Sequence, residues 1–119
     1  MIGIDILEIE EISKLKNPRA FLEKYFSERE RAYIDSKSKK EQTIAGIFCA
    51  KEAVLKAFKI GIGAGVSLKD IEILHEESGS PYLFVNSCVL DLLKKHGRTE
   101  AEISISHSNN YAVAVCNIN

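Results

Sequence analysis

The chain has 119 residues, of which 45% are hydrophobic and 28% charged, an ordinary composition for one globular domain with its own core. Sixteen basic residues nearly balance 17 acidic ones, so the net charge of −1 offers no general attraction to nucleic acid or to an anionic membrane. The sequence lacks the basic and then apolar start of a signal peptide, and it has no apolar run of the ~20 residues that cross a membrane.

The three cysteines, Cys49, Cys88 and Cys116, are scattered, lie mostly among apolar residues and do not have CxxC spacing. This pattern indicates small core residues in a reducing compartment rather than disulfides or a zinc site. We therefore expect a cytoplasmic protein with one domain over residues 1–119.

The chain begins with an alternating pattern. Ile2, Ile4 and Ile6 alternate with Gly3, Asp5 and Leu7, which predicts a short strand with its isoleucines on one face and Asp5 on the other. Asp5 is either a solvated carboxylate at a strand edge or a functional one, and this depends on what faces it.

Two short helices are predicted next. The first carries Phe21, Leu22, Tyr25 and Phe26 at helical spacing, after an irregular stretch that ends at Asn17-Pro18. Ser27 and Glu30 have the spacing of a capping box, so a second helix should begin there and run to about Ser36.

The longest predicted element is a helix from Lys40 or Glu41 to about Lys59. Lys51 falls inside its apolar stripe, and Glu52 lies at the edge of the stripe with Lys56 one turn further on. Lys51 either extends along the core surface beside a surface Glu52–Lys56 pair, or this edge borders a site for an anion and a cation. The stripe consists of Ile44, Ile47, Phe48, Val54, Leu55 and Phe58.

Three glycines at alternate positions, Gly61, Gly63 and Gly65, follow this helix. Glycine lets backbone N–H groups come close to a phosphate, but a glycine-rich connection after a helix is an equally ordinary interpretation. The spacing does not match a dinucleotide-binding motif or a P-loop.

The second half of the chain predicts two hairpins around a helix. The strands are Ile71–His75 with Tyr82–Val85, and Ala101–His107 with Tyr111–Ile118. The helix between them is capped by Asn86 or Ser87 and stops at Gly97. The element order predicts an α+β domain with helices packed on a largely antiparallel sheet.

His107 ends a strand before a polar turn, where both structural and pocket histidines occur.

Three segments together resemble the holo-[acyl-carrier-protein] synthases, the small class of 4′-phosphopantetheinyl transferases. They are Gly3-Ile4-Asp5-Ile6, the helical segment from Phe48 to Ala57, and Ile103-Ser104-Ile105-Ser106-His107 with Tyr111-Ala112. The match spans nearly the whole chain and implies the 4′-phosphopantetheinyl transferase fold. Other matching positions are Gly61, Gly63, Asp70-Ile71-Glu72-Ile73, Gly79 and Pro81.

The resemblance implies an enzyme that moves 4′-phosphopantetheine from coenzyme A to a serine of apo acyl carrier protein and releases 3′,5′-ADP. It assigns Asp5 and Glu52 to a magnesium ion, in line with the preference of Mg²⁺ for one or two carboxylates with water and phosphate oxygens. It also implies a homotrimer with active sites between subunits. The implied catalytic residues are Asp5, Lys51 and Glu52, and the implied substrate-binding residues are Lys51, Lys56, Gly61, Gly63, Ser106 and His107.

Three positions depart from the family pattern. Glu11 and Ile47 stand where arginines are usual, and Lys59 stands where a glycine is usual. The alternative hypothesis is therefore a trimer of the same fold that binds coenzyme, metal or carrier without efficient transfer. The presence of the other motif residues favours the enzyme; these are Asp5, Lys51, Glu52 and His107.

Overall fold

The computed structural model of the chain describes residues 1–61 and 65–119. The predicted α+β architecture is confirmed, and each predicted helix and strand is present within a few residues of its expected bounds. The elements are β1 (Ile2–Glu8), α1 (Ile9–Ser13), α2 (Pro18–Tyr25), α3 (Glu28–Asp35), α4 (Lys40–Ala57), a 3₁₀ turn (Leu68–Asp70), β2 (Ile73–His75), β3 (Pro81–Leu83), α5 (Ser87–Lys95), β4 (Ala101–His107) and β5 (Tyr111–Ile118).

The strands form two antiparallel sheets. β1, β5 and β4 make a three-stranded sheet with β5 in the middle, and β2 pairs with β3 in a separate hairpin. Ile4 of β1 pairs with Val115 of β5, and Ile6 pairs with Val113. Paired residues share a face of the sheet, so these side chains lie together on one side and Asp5 lies on the other.

Helix α4 lies at the centre of the molecule and is buried on two sides. The predicted stripe is buried apart from Phe48, which is half-buried, but small residues on the opposite side are buried as well. One side of α4 packs on the three-stranded sheet, and the other side contacts α3 and β2. The small residues are Ala45, Cys49, Ala50, Ala53 and Ala57.

Gly3 lets β1 approach α4 closely. A Cβ atom at this position would lie 1.9 Å from the main-chain oxygen of Ala53 and 2.5 Å from the main-chain nitrogen of Ala57. Any side chain would therefore push the strand and the helix apart, because neither contact is with a flexible group. The glycine sets the separation at which Asp5, two residues along the same face of β1, meets α4.

The other face of β1 is exposed. Ile2, Ile4 and Ile6 are 72%, 58% and 64% accessible, so the isoleucine face predicted from the sequence points away from the core. Tyr111 of the neighbouring β5 is also exposed, at 45%. A contiguous apolar sheet face of this kind is typical of a surface that another molecule covers.

Two helix caps follow the sequence closely. Ser27 and Glu30 form the predicted reciprocal capping box at the start of α3, and Asn86 accepts a hydrogen bond from the Val89 main chain at the start of α5. No helix in residues 1–61 or 65–119 is long and apolar enough to cross a membrane.

Candidate active site

Asp5, Glu52 and Lys56 come together where β1 crosses α4. Lys56 Nζ donates a hydrogen bond of 2.8 Å to Asp5 Oδ1, and the side chain of Asp5 is only 17% exposed. Glu52 lies one turn before Lys56 on the helix and is half-buried. Two segments that the sequence separates by nearly 50 positions thus meet as two carboxylates and one ammonium group.

The two carboxylates carry more negative charge than the one neighbouring ammonium group neutralises. Burial raises the pKa of Glu52, and the Asp5 carboxylate raises it further, while Lys56 only partly opposes this shift. The pKa of Lys56 is also raised, first by its hydrogen bond to Asp5. Additional positive charge would oppose the rise in the pKa of Glu52.

The donor set suits a magnesium ion. Residues 1–61 and 65–119 contain no group of three or more His, Cys, Asp or Glu side chains that could hold a metal. Two carboxylates are nevertheless what Mg²⁺ commonly takes from a protein when phosphate oxygens and water complete its coordination. Asp5 already accepts a hydrogen bond from the Lys56 ammonium, so a bound metal ion would share this carboxylate with Lys56.

Lys51, next to Glu52, lies in a different environment. Its side chain is fully buried, and Nζ lies 2.7 Å from Glu30 Oε1. The same nitrogen donates to the main-chain oxygens of Leu68 at 2.8 Å and Ile71 at 2.7 Å. Burial lowers the pKa of Lys51, and Glu30 opposes this.

Three protein acceptors thus use the three N–H bonds of the Lys51 ammonium group. The resemblance implied that Lys51 is catalytic and contacts substrate, but this geometry favours a structural role. Its partner Glu30 also accepts hydrogen bonds from the main-chain nitrogens of Ser27 and Ile73, both at 2.8 Å. The pair therefore joins α3, α4 and the start of β2.

His107 lies on a second surface, in a groove of about 260 Å³. A Cβ atom on Gly46 would come within 2.5 Å of His107 Nε2, so the glycine allows the ring to lie against α4. Burial lowers the pKa of His107, and a hydrogen bond to the Gln42 backbone opposes this. The groove also contains His75, which sequence reasoning missed. Its signal was its place on the same alternating face as Ile71 and Ile73.

The other predicted binding residues are dispersed. Ser106 is exposed on the opposite face of β4 from His107. Gly61 is exposed after α4, with open space around the position of a Cβ atom. Gly63 lies outside the described residues.

Comparison with known proteins identifies the class of protein to which this fold belongs. The model of the 4′-phosphopantetheinyl transferase superfamily matches residues 1–116. A holo-[acyl-carrier-protein] synthase from Finegoldia magna is 42% identical over 116 residues, which cover 96% of this chain and 91% of the relative.

Solved structures agree with the sequence match. The holo-[acyl-carrier-protein] synthase of Helicobacter pylori in complex with coenzyme A superposes with a TM-score of 0.86 at 32% identity, over the full length of both chains. The Bacillus anthracis synthase, in complex with CoA (3′,5′-ADP), gives a TM-score of 0.80 at 35% identity, covering 98% of this chain and 93% of that one. This chain belongs to the holo-[acyl-carrier-protein] synthase family.

Proposed function

We propose that this chain transfers 4′-phosphopantetheine from coenzyme A to a serine of an apo acyl carrier protein and releases 3′,5′-ADP. The observation that carries this proposal is the meeting of Asp5 and Glu52, with Lys56, on a chain of this family. The two carboxylates would hold Mg²⁺, which when bound would supply positive charge to the pyrophosphate of coenzyme A.

In this transfer, the serine oxygen forms a bond to the β-phosphorus of coenzyme A. The bond between the β-phosphorus and the oxygen that bridges it to the α-phosphorus breaks. That oxygen leaves as part of 3′,5′-ADP, and the serine proton passes to solvent. Catalysis of such a step depends mainly on positioning and charge neutralisation. Lys56 is 55% exposed, so its ammonium group can reach a phosphate beside Asp5.

We also propose that the chain works as a homotrimer with active sites between copies. The exposed isoleucine face of β1, with Tyr111, supports an interface, since such faces are usually covered. Helix α4 carries two candidate surfaces, one at Glu52 and one at the His107 groove, and their positions support active sites that are shared between copies. Gly46, which lines the His107 groove, and Glu52 are six residues apart, hence about 120° apart around the helix. A coenzyme that contacts both surfaces is more easily held between two copies than around one helix.

We also propose that the enzyme works in the cytoplasm. The three cysteines are free in the structure, which suits a reducing compartment.

The experiment that tests the function is mass spectrometry of an apo acyl carrier protein after incubation with the chain, coenzyme A and Mg²⁺. We expect the carrier to gain one phosphopantetheine group and 3′,5′-ADP to appear in equal amount. The gain should be abolished by EDTA and restored by excess Mg²⁺.

The second candidate function is binding without transfer, which the replacements at Glu11 and Ile47 favour. An unchanged mass for several carriers with metal present would contradict the transferase. Calorimetric binding of coenzyme A in the same samples would then support the second candidate.

A further inference from the structure

Lys56 holds the carboxylate that the proposed function assigns to a metal ion. Its Nζ lies 2.8 Å from Asp5 Oδ1. Neither Asp5 nor Glu52 has another ion pair in the part of the chain that the structure describes. The ammonium group of Lys56 is therefore the cation at this carboxylate pair.

The Lys56 side chain is able to leave this position. It lies in the last turn of α4 and is 55% exposed. Among the described residues Asp5 is the one acceptor of its ammonium group, so two of the three N–H bonds are left for solvent. Its flexible four-carbon stem allows the ammonium group to move while the helix stays in place. Lys51 differs on each point, because it is buried and has three protein acceptors.

Asp5 is far more restricted than its partner. Its side chain is only 17% exposed, and it stands on a strand that lies against α4 without room for a Cβ atom at Gly3. The carboxylate therefore stays where β1 crosses α4, whereas the cation that meets it is exchangeable.

An ammonium group at Asp5 opposes a metal ion at the same carboxylate. The metal must either share Asp5 with Lys56 or replace it, and in both cases the two positive charges repel each other. A unit charge and a double charge a few ångströms apart in water change a binding constant by on the order of tenfold. Lys56 should therefore weaken metal binding as long as it remains on Asp5.

A pyrophosphate removes this opposition. Its negative charge attracts the ammonium group and the metal ion alike, and lysine is a common ligand of phosphate oxygens. Once Lys56 contacts a phosphate, Asp5 is available to the metal alone. The two cations then neutralise different parts of the same anion.

We propose that Lys56 is a tethered substitute for the metal ion, which holds Asp5 and weakens Mg²⁺ binding until a pyrophosphate draws it away. This inference rests on the proposed function, because that function supplies both the metal and the pyrophosphate. A contact between Lys56 and phosphate belongs to that function already, and the control of metal affinity is what is added. It makes Mg²⁺ and coenzyme A bind cooperatively, each more tightly in the presence of the other.

The test measures the dissociation constant of Mg²⁺ for the full chain, from the rise in melting temperature as MgCl₂ is added at constant ionic strength. The wild type is compared with Lys56→Met, which removes the charge and keeps an unbranched side chain. Without coenzyme, the variant should bind Mg²⁺ about tenfold more tightly than the wild type. With saturating coenzyme A and no carrier protein, this difference should largely disappear.

Two controls isolate the charge and its position. Lys56→Arg keeps the positive charge and should bind Mg²⁺ as the wild type does. Lys40→Met makes the same charge change at an exposed lysine 16 residues earlier on α4, about 24 Å along the helix. This is beyond the screening length of ~10 Å at 0.1 M salt, so wild-type affinity is expected. Lys56→Gln replaces the methionine variant if that variant does not fold.

Magnesium binding that is no tighter in Lys56→Met than in the wild type would overturn the proposal. A gain that persists undiminished with coenzyme A would do so as well, because Lys56 would then not leave Asp5. No Mg²⁺ binding to any variant, with or without coenzyme, would also overturn it.

Mass spectrometry of the carrier separates this inference from the proposed function. A wild-type chain that modifies the carrier, with no gain in Mg²⁺ affinity in Lys56→Met, overturns the role of Lys56 alone. A chain that shows the gain but leaves the carrier unmodified overturns the transfer alone.

Discussion

Lys51 and Glu52 are neighbours on α4, yet their surroundings are opposite. Lys51 points into the core, where Glu30 and two main-chain oxygens accept its three N–H bonds. Glu52 points to the edge of β1, where burial and the Asp5 carboxylate both raise its pKa and Lys56 only partly offsets them. One charge is fully paired within the protein, and the other is left short of positive charge.

The difference shows how to separate structural from functional charge. A paired buried charge indicates a structural role, since its partners are already in place and a ligand could only displace them. An underpaired charge at a surface is a candidate for function, because a ligand relieves the repulsion.

The largest expected effect is on stability, from Lys51→Ala. This change leaves Glu30 buried without its cation, which typically costs about 3–5 kcal/mol. Urea unfolding should show this loss as a lower midpoint with an unchanged m-value. The matched control is Lys56→Ala on the same helix; its ammonium group is 55% exposed, so its ion pair with Asp5 should contribute less than about 1 kcal/mol. Equal stability losses in the two variants would remove the distinction between the two regions.

The next effect is on turnover. Asp5→Ala and Glu52→Ala should each lower kcat by about 10²-fold or more, because under the proposed function each would remove a ligand of the Mg²⁺ that neutralises the pyrophosphate. Carrier modification assays measure this, and circular dichroism should show both variants folded. Glu41→Ala, an exposed glutamate near the start of α4, is the control and should turn over normally. Near-normal turnover of either alanine variant at low Mg²⁺ would exclude that carboxylate as a ligand.

A smaller effect is expected at α1, the surface of this chain that would meet the carrier protein, which lies outside both regions. Acyl carrier proteins are acidic, so Glu11 on α1 should repel them. Glu11→Arg should lower KM for the carrier and raise kcat/KM by roughly 10-fold, or about 1.4 kcal/mol. The gain should shrink as salt reduces the screening length from ~10 Å at 0.1 M to ~3 Å at 1 M.

Glu10→Arg is the matched control for Glu11→Arg, because Glu10 is an exposed neighbour on the same helix. An equal gain in the control would mean that general charge, rather than position 11, steers the carrier. A fall in kcat/KM for Glu11→Arg at low salt would contradict the repulsion itself.

The smallest effect concerns the end of α4. Lys59 adopts a left-handed conformation with φ of 59°, and the Ile60 main-chain nitrogen donates to the Leu55 oxygen at 2.9 Å, as in a Schellman motif. Glycine adopts this conformation without strain, so Lys59→Gly should stabilise the fold by up to about 1 kcal/mol. Thermal unfolding measures the gain. Lys59→Ala should show none, because alanine keeps the Cβ atom, and a comparable gain there would contradict this explanation.

Much of the fold could be predicted because local patterns encode it. The alternation in β1, β4 and β5 fixed their faces, and the Ser27–Glu30 spacing predicted a capping box that the structure contains. Lys59 in a left-handed conformation also explains why a glycine is usual at that position. These features depend on residues close together in the chain.

Contacts between distant segments could not be predicted in the same way. The sequence indicates Glu30 only as a capping residue, and the packing of α3 on α4 and β2 makes it the partner of Lys51. The second buried side of α4 is formed by four alanines and a cysteine, small residues that give a weak hydrophobic signal. In β1, the face that meets α4 carries Gly3 rather than a larger apolar residue. The isoleucines therefore lie on the other face, which is exposed.

The most direct test of the comparison is the melting temperature of the wild type and of Glu52→Gln as Mg²⁺ is added. Magnesium at ten times its dissociation constant should stabilise the wild type by about 1.4 kcal/mol, a rise of roughly 5 °C for a chain of this size. Without metal, Glu52→Gln should melt above the wild type because the repulsion with Asp5 is gone, and Mg²⁺ should have little effect on it. A Glu52→Gln variant that melts below the wild type and still responds fully to Mg²⁺ would contradict the assignment of this carboxylate pair as a cation site.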